Sequence, residues 1–311
     1  MNGSLELAVA NVQAALEDEG TLIGCDPGQQ PRYELFHAAG SICSHKVRAV
    51  LAHHGLGYRS HLINLFAGQT YLPAYVRLRM AGCDRLGDRL AAHHDGSTSA
   101  ERGGCDGAVV PTLVDREAGA VLVDSRLICI HLDDAVEAAR RLRPEPLAGA
   151  IDEELRVVDN FPNYQMLMAR PSAPLGGSFS ERKVAWCEAY LRDHADEDVL
   201  VRAYTAKRAK EASAAALLFS DGALDAARAS VEAALRGLDD RLGHTGGPWL
   251  YGEAFTMADL FWGIELIRLK GVGAAACWAG GRMPRVESLL GAAEAIPAIR
   301  TAVLDWPGAL L

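Results

Sequence analysis

The stretch Gly40-Ser-Ile-Cys-Ser-His-Lys-Val-Arg48 places one thiol, Cys43, just past a glycine-serine turn and at the start of a basic, helix-like run. A cysteine in the first turn of a helix, with Lys46 and Arg48 close in sequence, is expected to have a lowered pKa and a usable thiolate fraction, because backbone N–H dipoles and cations favour the anion. Residues 44–46 are Ser, His and Lys, so no second cysteine stands where a dithiol oxidoreductase carries its resolving partner. Any disulfide formed at Cys43 must then be resolved by an outside thiol. Ser41 is a rival for the central role, since its hydroxyl can donate a hydrogen bond to a thiolate belonging to a ligand. Two further signals lie downstream. Val110-Pro111 opens a strand, where the proline is either an edge breaker or a cis-proline that turns the Val110 backbone toward a bound peptide. Asp124-Ser125 follows the next strand and opens a helix, whose exposed N–H groups attract a carboxylate, and Arg126 adds positive charge beside them. The same pair reads equally well as a simple N-cap.

The elements that must position these residues form an α/β unit. A strand at 33–37 leads through Gly40 into a helix with Val47, Val50 and Leu51 inward, then a strand at 58–65 and a helix around 71–78. A hairpin follows, with strands at 112–114 and 120–123 turned through 115–119, and then a helix through Leu127, Ile128, Ile130 and Leu132. The order is βαβα then ββα. Ahead of it, Leu5, Val9, Val12 and Leu16 have helical spacing, and residues 1–31 read as a helical extension and linker. Residues 79–107, rich in Gly, Ser, Asp and His, interrupt the first domain (32–145). Such a stretch, leaving just before Val110-Pro111 and lacking an apolar period, is expected to be a mobile flap beside the site. Residues 150–311 read as all-helical, and Thr256-Met-Ala-Asp259 has the form of a capping box.

Composition narrows the classes. The 311 residues suffice for two domains, and a net charge of −9 without any lysine or arginine block argues against nucleic acid, leaving room for a local basic pocket that takes a small anion. No Lys or Arg occurs in residues 1–31, so no charged secretory n-region is seen, and cytoplasmic residence is expected. No apolar run approaches the roughly 20 residues of a membrane span. The seven cysteines (25, 43, 83, 105, 129, 187, 277) contain no CxxC pair or zinc spacing. In a reducing compartment they are expected to be seven free thiols, with Cys129 and Cys187 as core residues. His53-His54 and His93-His94, whose rings diverge by about 100° on a helix, are expected to be solvated or capping residues rather than a metal chelate.

Together, YELFHAAGSICSHKVR, VVPTLVDREAGAVLVDSRLIC and GPWLYGEAFTMADLFW resemble the glutathione S-transferase superfamily. Within it, GSICSHKVRAVL is similar to the zeta-like branch and to the glutathione-dependent reductive dehalogenases of chlorinated hydroquinones. The resemblance implies a thioredoxin-like first domain with a mixed sheet and a helical second domain. It places the redox cysteine at Cys43, the first motif serine at Ser41, the clamp on the cysteinyl part of glutathione at Val110 with cis-Pro111, and the γ-glutamyl site at Asp124 with Ser125. Asp124 stands where the superfamily usually has a glutamate. Glutathione is the implied co-substrate, with no metal and no nicotinamide, a small hydrophobic aromatic is the other substrate, and a homodimer is expected. Selectivity is expected from the helical domain, with Asn160, Tyr164 and Trp186 as candidates. The alternatives are a zeta-like glutathione S-transferase or maleylacetoacetate-type cis-trans isomerase, in which Cys43 is expendable, and a non-catalytic interaction module.

Overall fold

The computed structural model describes residues 3–26, 28–97, 99–170 and 176–310. Helix α1 (Gly3–Leu16) turns Val9 and Val12 into the interior, and β1 (Thr21–Ile23) follows it. Every residue of β2 (Tyr33–His37) is buried, as a central strand covered on both faces must be. The basic run then forms α2 (Ile42–His54), stopped by Gly55 in the left-handed conformation that glycine adopts without penalty. Next come β3 (Tyr58–Leu62), α3 (Pro73–Leu86), the short α4 (Ala100–Gly103), the hairpin β4 (Thr112–Asp115) and β5 (Ala120–Val123), and α5 (Ser125–Asp134). The mixed sheet has the order β1-β3-β2-β4-β5: β2 pairs in parallel with β3 and antiparallel with β4.

Several local expectations are corrected. The stretch read as a linker contributes β1, an edge strand antiparallel to β3, with Leu22 opposite Arg59. The helix expected to end near residue 78 runs on to Leu86, because Met80 and Cys83 bury against Val123 and the helical domain. Cys83 and Cys105 are joined in a disulfide, so the chain does not hold seven free thiols. Their sequence separation of 22 hid the pairing, which arises when the insertion doubles back and Leu90 bridges in parallel to Cys105. His54 and His94 are also not solvated. His54 is buried against Asp133 (2.8 Å), and His94 stacks on Tyr164 (4.8 Å between centroids), while His53 and His93 are exposed.

Among the described residues the regular elements of the second domain are helices: α6 (Ala148–Asp159), α7 (Asn163–Met168), α8 (Gly176–Asp193), α9 (Asp198–Leu217), α10 (Asp221–Leu242), α11 (Met257–Gly271), α12 (Pro284–Glu294) and α13 (Pro297–Ile299). Its axis is α11, buried at every position from Met257 to Leu269. The capping box starts it: Asp259 accepts from the Thr256 N–H (2.8 Å) and hydroxyl (2.7 Å) and from the Leu250 N–H (2.8 Å). One apolar cluster takes Val47, Val50 and Leu51 from α2, Ile128 from α5, Leu155 from α6, Leu235 from α10 and Phe261 from α11, so both domains share a core. Among the described residues, no helix is long and apolar enough to cross a membrane.

Because Cys83–Cys105 closes a loop of this size, its chain-entropy contribution is about 3 kcal/mol. Reduction, or Cys105→Ala, should lower the melting temperature and speed tryptic cleavage at Arg89 and Arg102. Identical melting and digestion with and without reductant would show that the bridge holds nothing in place.

Candidate active site

The site is built around the turn that precedes α2. Ser41 has extended backbone angles and caps the helix, its Oγ accepting from the Ser44 N–H at 3.4 Å, while Ser44 Oγ accepts from the Ala38 N–H at 3.3 Å. Arg48, one helical turn on, reaches back and donates to the carbonyls of Ala38 (3.3 Å) and Ala39 (3.1 Å), and also to Ala302 of the helical domain (2.9 Å). Lys46 is buried in an ion pair with Asp159 of α6 at 2.8 Å. The two cations expected to serve the thiol are thus committed to holding the turn and the domain interface.

Cys43 is the second residue of α2, half-buried, at the positive end of the helix dipole. Arg268 of α11 donates to the Gly40 carbonyl, and it was not foreseen from the sequence. Burial pushes the Arg268 guanidinium down to about 10, with Glu265 and Cys43 opposing, and Cys43 likewise favours the charged form of Lys46. The sulfur therefore lies in the field of one cation from each domain. The signal for Arg268 was present: an arginine and Glu265 interrupt an otherwise apolar helix, and buried charges need partners.

The Val110–Pro111 peptide is cis. Two side chains of α3 hold its loop. Tyr75 donates its hydroxyl to the Val109 carbonyl (2.6 Å), and Arg79 donates to the carbonyls of Asp106 (2.6 Å) and Pro111 and to Thr112 Oγ1 (2.9 Å). No hydrogen bond among the described residues uses the Val110 backbone, so a buried donor and acceptor stay available to a ligand. Asp124, in the left-handed region at φ 71°, is the N-cap of α5: Oδ1 accepts from the N–H groups of Arg126 (3.0 Å) and Leu127 (3.3 Å), and Oδ2 accepts from Ala100 N–H (3.0 Å) at the start of α4. Burial raises its pKa, as does Asp159, against those N–H bonds. Arg126 turns away to Glu101 and Asp159. The Ser125 hydroxyl, at the first helical residue, has no such task. Ser41, Cys43, Val110, Pro111, Asp124 and Ser125 all border one cavity of about 450 Å³, with residues of the insertion and of α7, α8, α9 and α11 closing it. Tyr164 lines it, whereas Asn160 and Trp186 do not.

An edge able to pair with a peptide, a helix N-terminus able to take a carboxylate, and a thiol thus face one space. The glutathione S-transferase N-terminal domain model matches residues 40–135, and the C-terminal domain model matches 221–296. Relatives named 2,5-dichlorohydroquinone reductive dechlorinase, from two strains of Sphingobium indicum, are each 34% identical over 291 residues, covering 90% of this chain and 84% of theirs. This chain belongs to the glutathione S-transferase superfamily. Its fold matches other members at low identity: the beta-etherase LigF of Sphingobium sp. strain SYK-6 has a TM-score of 0.58 at 16% identity over 87% of this chain and 98% of that one. A zeta-class maleyl pyruvate isomerase has a TM-score of 0.54 at 15% identity, covering 89% of this chain and 100% of its own.

In this superfamily member, Glu265 is buried below the site. Its Oε2 accepts from Asn163 Nδ2 (3.0 Å), and its Oε1 has no hydrogen-bond partner among the described residues. Burial lifts its pKa from 4.5 to about 7, with Lys46, Asn163 and Arg268 opposing. The folded state then binds this proton more tightly than the unfolded chain, so the associated stability is full below 4.5 and is lost as pH rises through about 7. The loss should be about 3 kcal/mol. Urea midpoints at about pH 5 and about pH 8 should differ less in Glu265→Gln than in the wild type. An equal difference in both would remove Glu265 as its source.

Proposed function

We propose that this enzyme dehalogenates halogenated hydroquinones or related aromatics reductively, consuming two glutathione molecules per halide. The observation that carries the reading is Cys43, a thiol at the first turn of α2 that borders the same cavity as Val110 and Ser125, in a chain one-third identical to reductive dechlorinases. In this reading the Val110 backbone pairs with the cysteinyl unit of glutathione, while Ser125 and the N-terminus of α5 receive its γ-glutamyl carboxylate. Asp124 fixes that helix end, and Pro111 shapes the turn. Ser41 donates its hydroxyl hydrogen to the glutathione thiolate while its oxygen caps α2.

The steps balance with these residues alone. The glutathione thiolate displaces halide from the ring in its keto form, giving an aryl–glutathione thioether. The Cys43 thiolate then attacks the glutathione sulfur. The sulfur–carbon bond breaks, its electron pair passes to the ring carbon, and that carbon takes up a proton. A second glutathione thiolate attacks the Cys43–glutathione disulfide, releasing glutathione disulfide and regenerating Cys43. Cytoplasmic residence and a homodimer belong to this reading through the superfamily resemblance.

Cys43→Ser separates the steps, since a serine hydroxyl has too high a pKa to attack sulfur. Halide release should continue, and the aryl–glutathione thioether should accumulate, as read by mass spectrometry of the products. Reduced aromatic formed at the wild-type rate would remove Cys43 from the reaction and favour the isomerase alternative. Ser125→Ala should weaken glutathione binding in calorimetry by more than the small change in melting temperature implies. An unchanged affinity would leave Ser125 as part of the helix end only.

A further inference from the structure

Three lysines, Lys183 of α8 and Lys207 and Lys210 of α9, border the same cavity on its far wall. They lie between residues 136 and 220, which neither family model covers. Lys207 bonds Asp106 (2.8 Å) and Glu211 (2.9 Å), Lys210 bonds Asp106 (3.0 Å), and Lys183 bonds Glu211 (3.0 Å) and the Tyr164 hydroxyl (2.9 Å). Three ammonium groups therefore share two carboxylates, and all five side chains are nearly or wholly buried. A buried cluster with one surplus cation is incomplete, because an unpaired charge is expensive away from water. Burial accordingly holds the Lys183 ammonium down to about 8; Glu211 opposes this and Lys207 adds to it. Aromatic faces surround the surplus charge: Lys183 Nζ lies 4.4 Å from the centre of the Tyr164 ring and 4.7 Å from that of Phe179, and both rings line the cavity with Phe66 and Tyr71.

We propose that Lys183, Lys207 and Lys210, with the Tyr164 hydroxyl, form a subsite that binds the aromatic substrate through a ring oxygen in its phenolate form. The inference rests on the dehalogenase reading and refines its substrate class: phenols and hydroquinones made acidic by electron-withdrawing substituents. An unsubstituted phenol, with a pKa of about 10, enters as the neutral molecule and leaves the cation unpaired. A halogenated ring is both more acidic and apolar enough for the aromatic slot. The negative charge of the chain as a whole does not oppose this, since the surplus is local and screened from the surface.

The test is calorimetry of the full-length enzyme, without glutathione, against a trichlorophenol and its methyl ether. These share shape and halogens, and only the phenol ionises. The phenol should bind on the order of tenfold more tightly, as one hydrogen bond to a charged group accounts for that ratio. Lys183→Met should erase the preference and Lys183→Arg should keep it, with melting curves showing that both fold. Equal binding of phenol and ether by the wild type overturns the proposal without any variant, and so does a preference that survives Lys183→Met. Glutathione titrated into the same proteins separates the readings. If the wild type does not bind glutathione, the dehalogenase reading fails. If Lys183→Met loses glutathione affinity rather than phenol preference, the lysines hold a glutathione carboxylate and the subsite is overturned.

Discussion

The structure depends on the burial of the cationic face of α2 between the two domains. Lys46 and Arg48 are both close to fully buried, and such cations persist only when paired and hydrogen-bonded. Lys46 pairs with Asp159, and Arg48 donates to the Ala302 carbonyl as well as to those of Ala38 and Ala39, so each reaches the helical domain. Removing Asp159 would leave the Lys46 charge uncompensated in the interior, so the domains are fixed to each other by more than apolar area. The same interface brings Arg268 onto Gly40 and sets the first turn of α2, with Cys43, at the mouth of the cavity. The thiol is positioned by a folding requirement.

A second set of contacts makes the insertion a wall of the site. Arg79 and Tyr75 tie α3 to the loop of the cis-proline. Asp124 spends one oxygen on α5 and the other on the start of α4, so the γ-glutamyl candidate and the insertion move together. Asp106 meets Lys207 and Lys210, and the disulfide closes the base. The stretch expected from composition to be a flap is tied to the N-cap of α5 through Asp124, to α9 through Asp106 and to α3 through the disulfide. The partners of its polar residues lie in other segments, out of reach of a local reading.

Sequence reading succeeded where the causes are local. The Thr256–Asp259 box, the cap at Asp124, the turn of the hairpin and the turn before Cys43 each lie within a few residues of their own signal. It failed where one partner is distant. Nothing near Cys83 announces Cys105, nothing near His54 announces Asp133, and the short β1 is a strand only because β3 offers an edge. The lysine cluster was likewise illegible, since Asp106, Lys183 and the pair Lys207 and Lys210 come together from three separate segments. Among the candidates for selectivity, Tyr164 reaches the cavity, whereas Trp186 packs against Tyr71 behind it.

The claim that ties thiol, cavity and family together is that Cys43 and glutathione sulfur become bonded during turnover. A single-turnover experiment addresses it most directly: enzyme in excess over a halogenated hydroquinone, one glutathione per site, quenched in acid and analysed as non-reduced peptides. The account predicts reduced aromatic in step with a glutathionylated peptide containing Cys43, and no such adduct on Cys129 or Cys187. Reduced aromatic formed while Cys43 stays unmodified would contradict it.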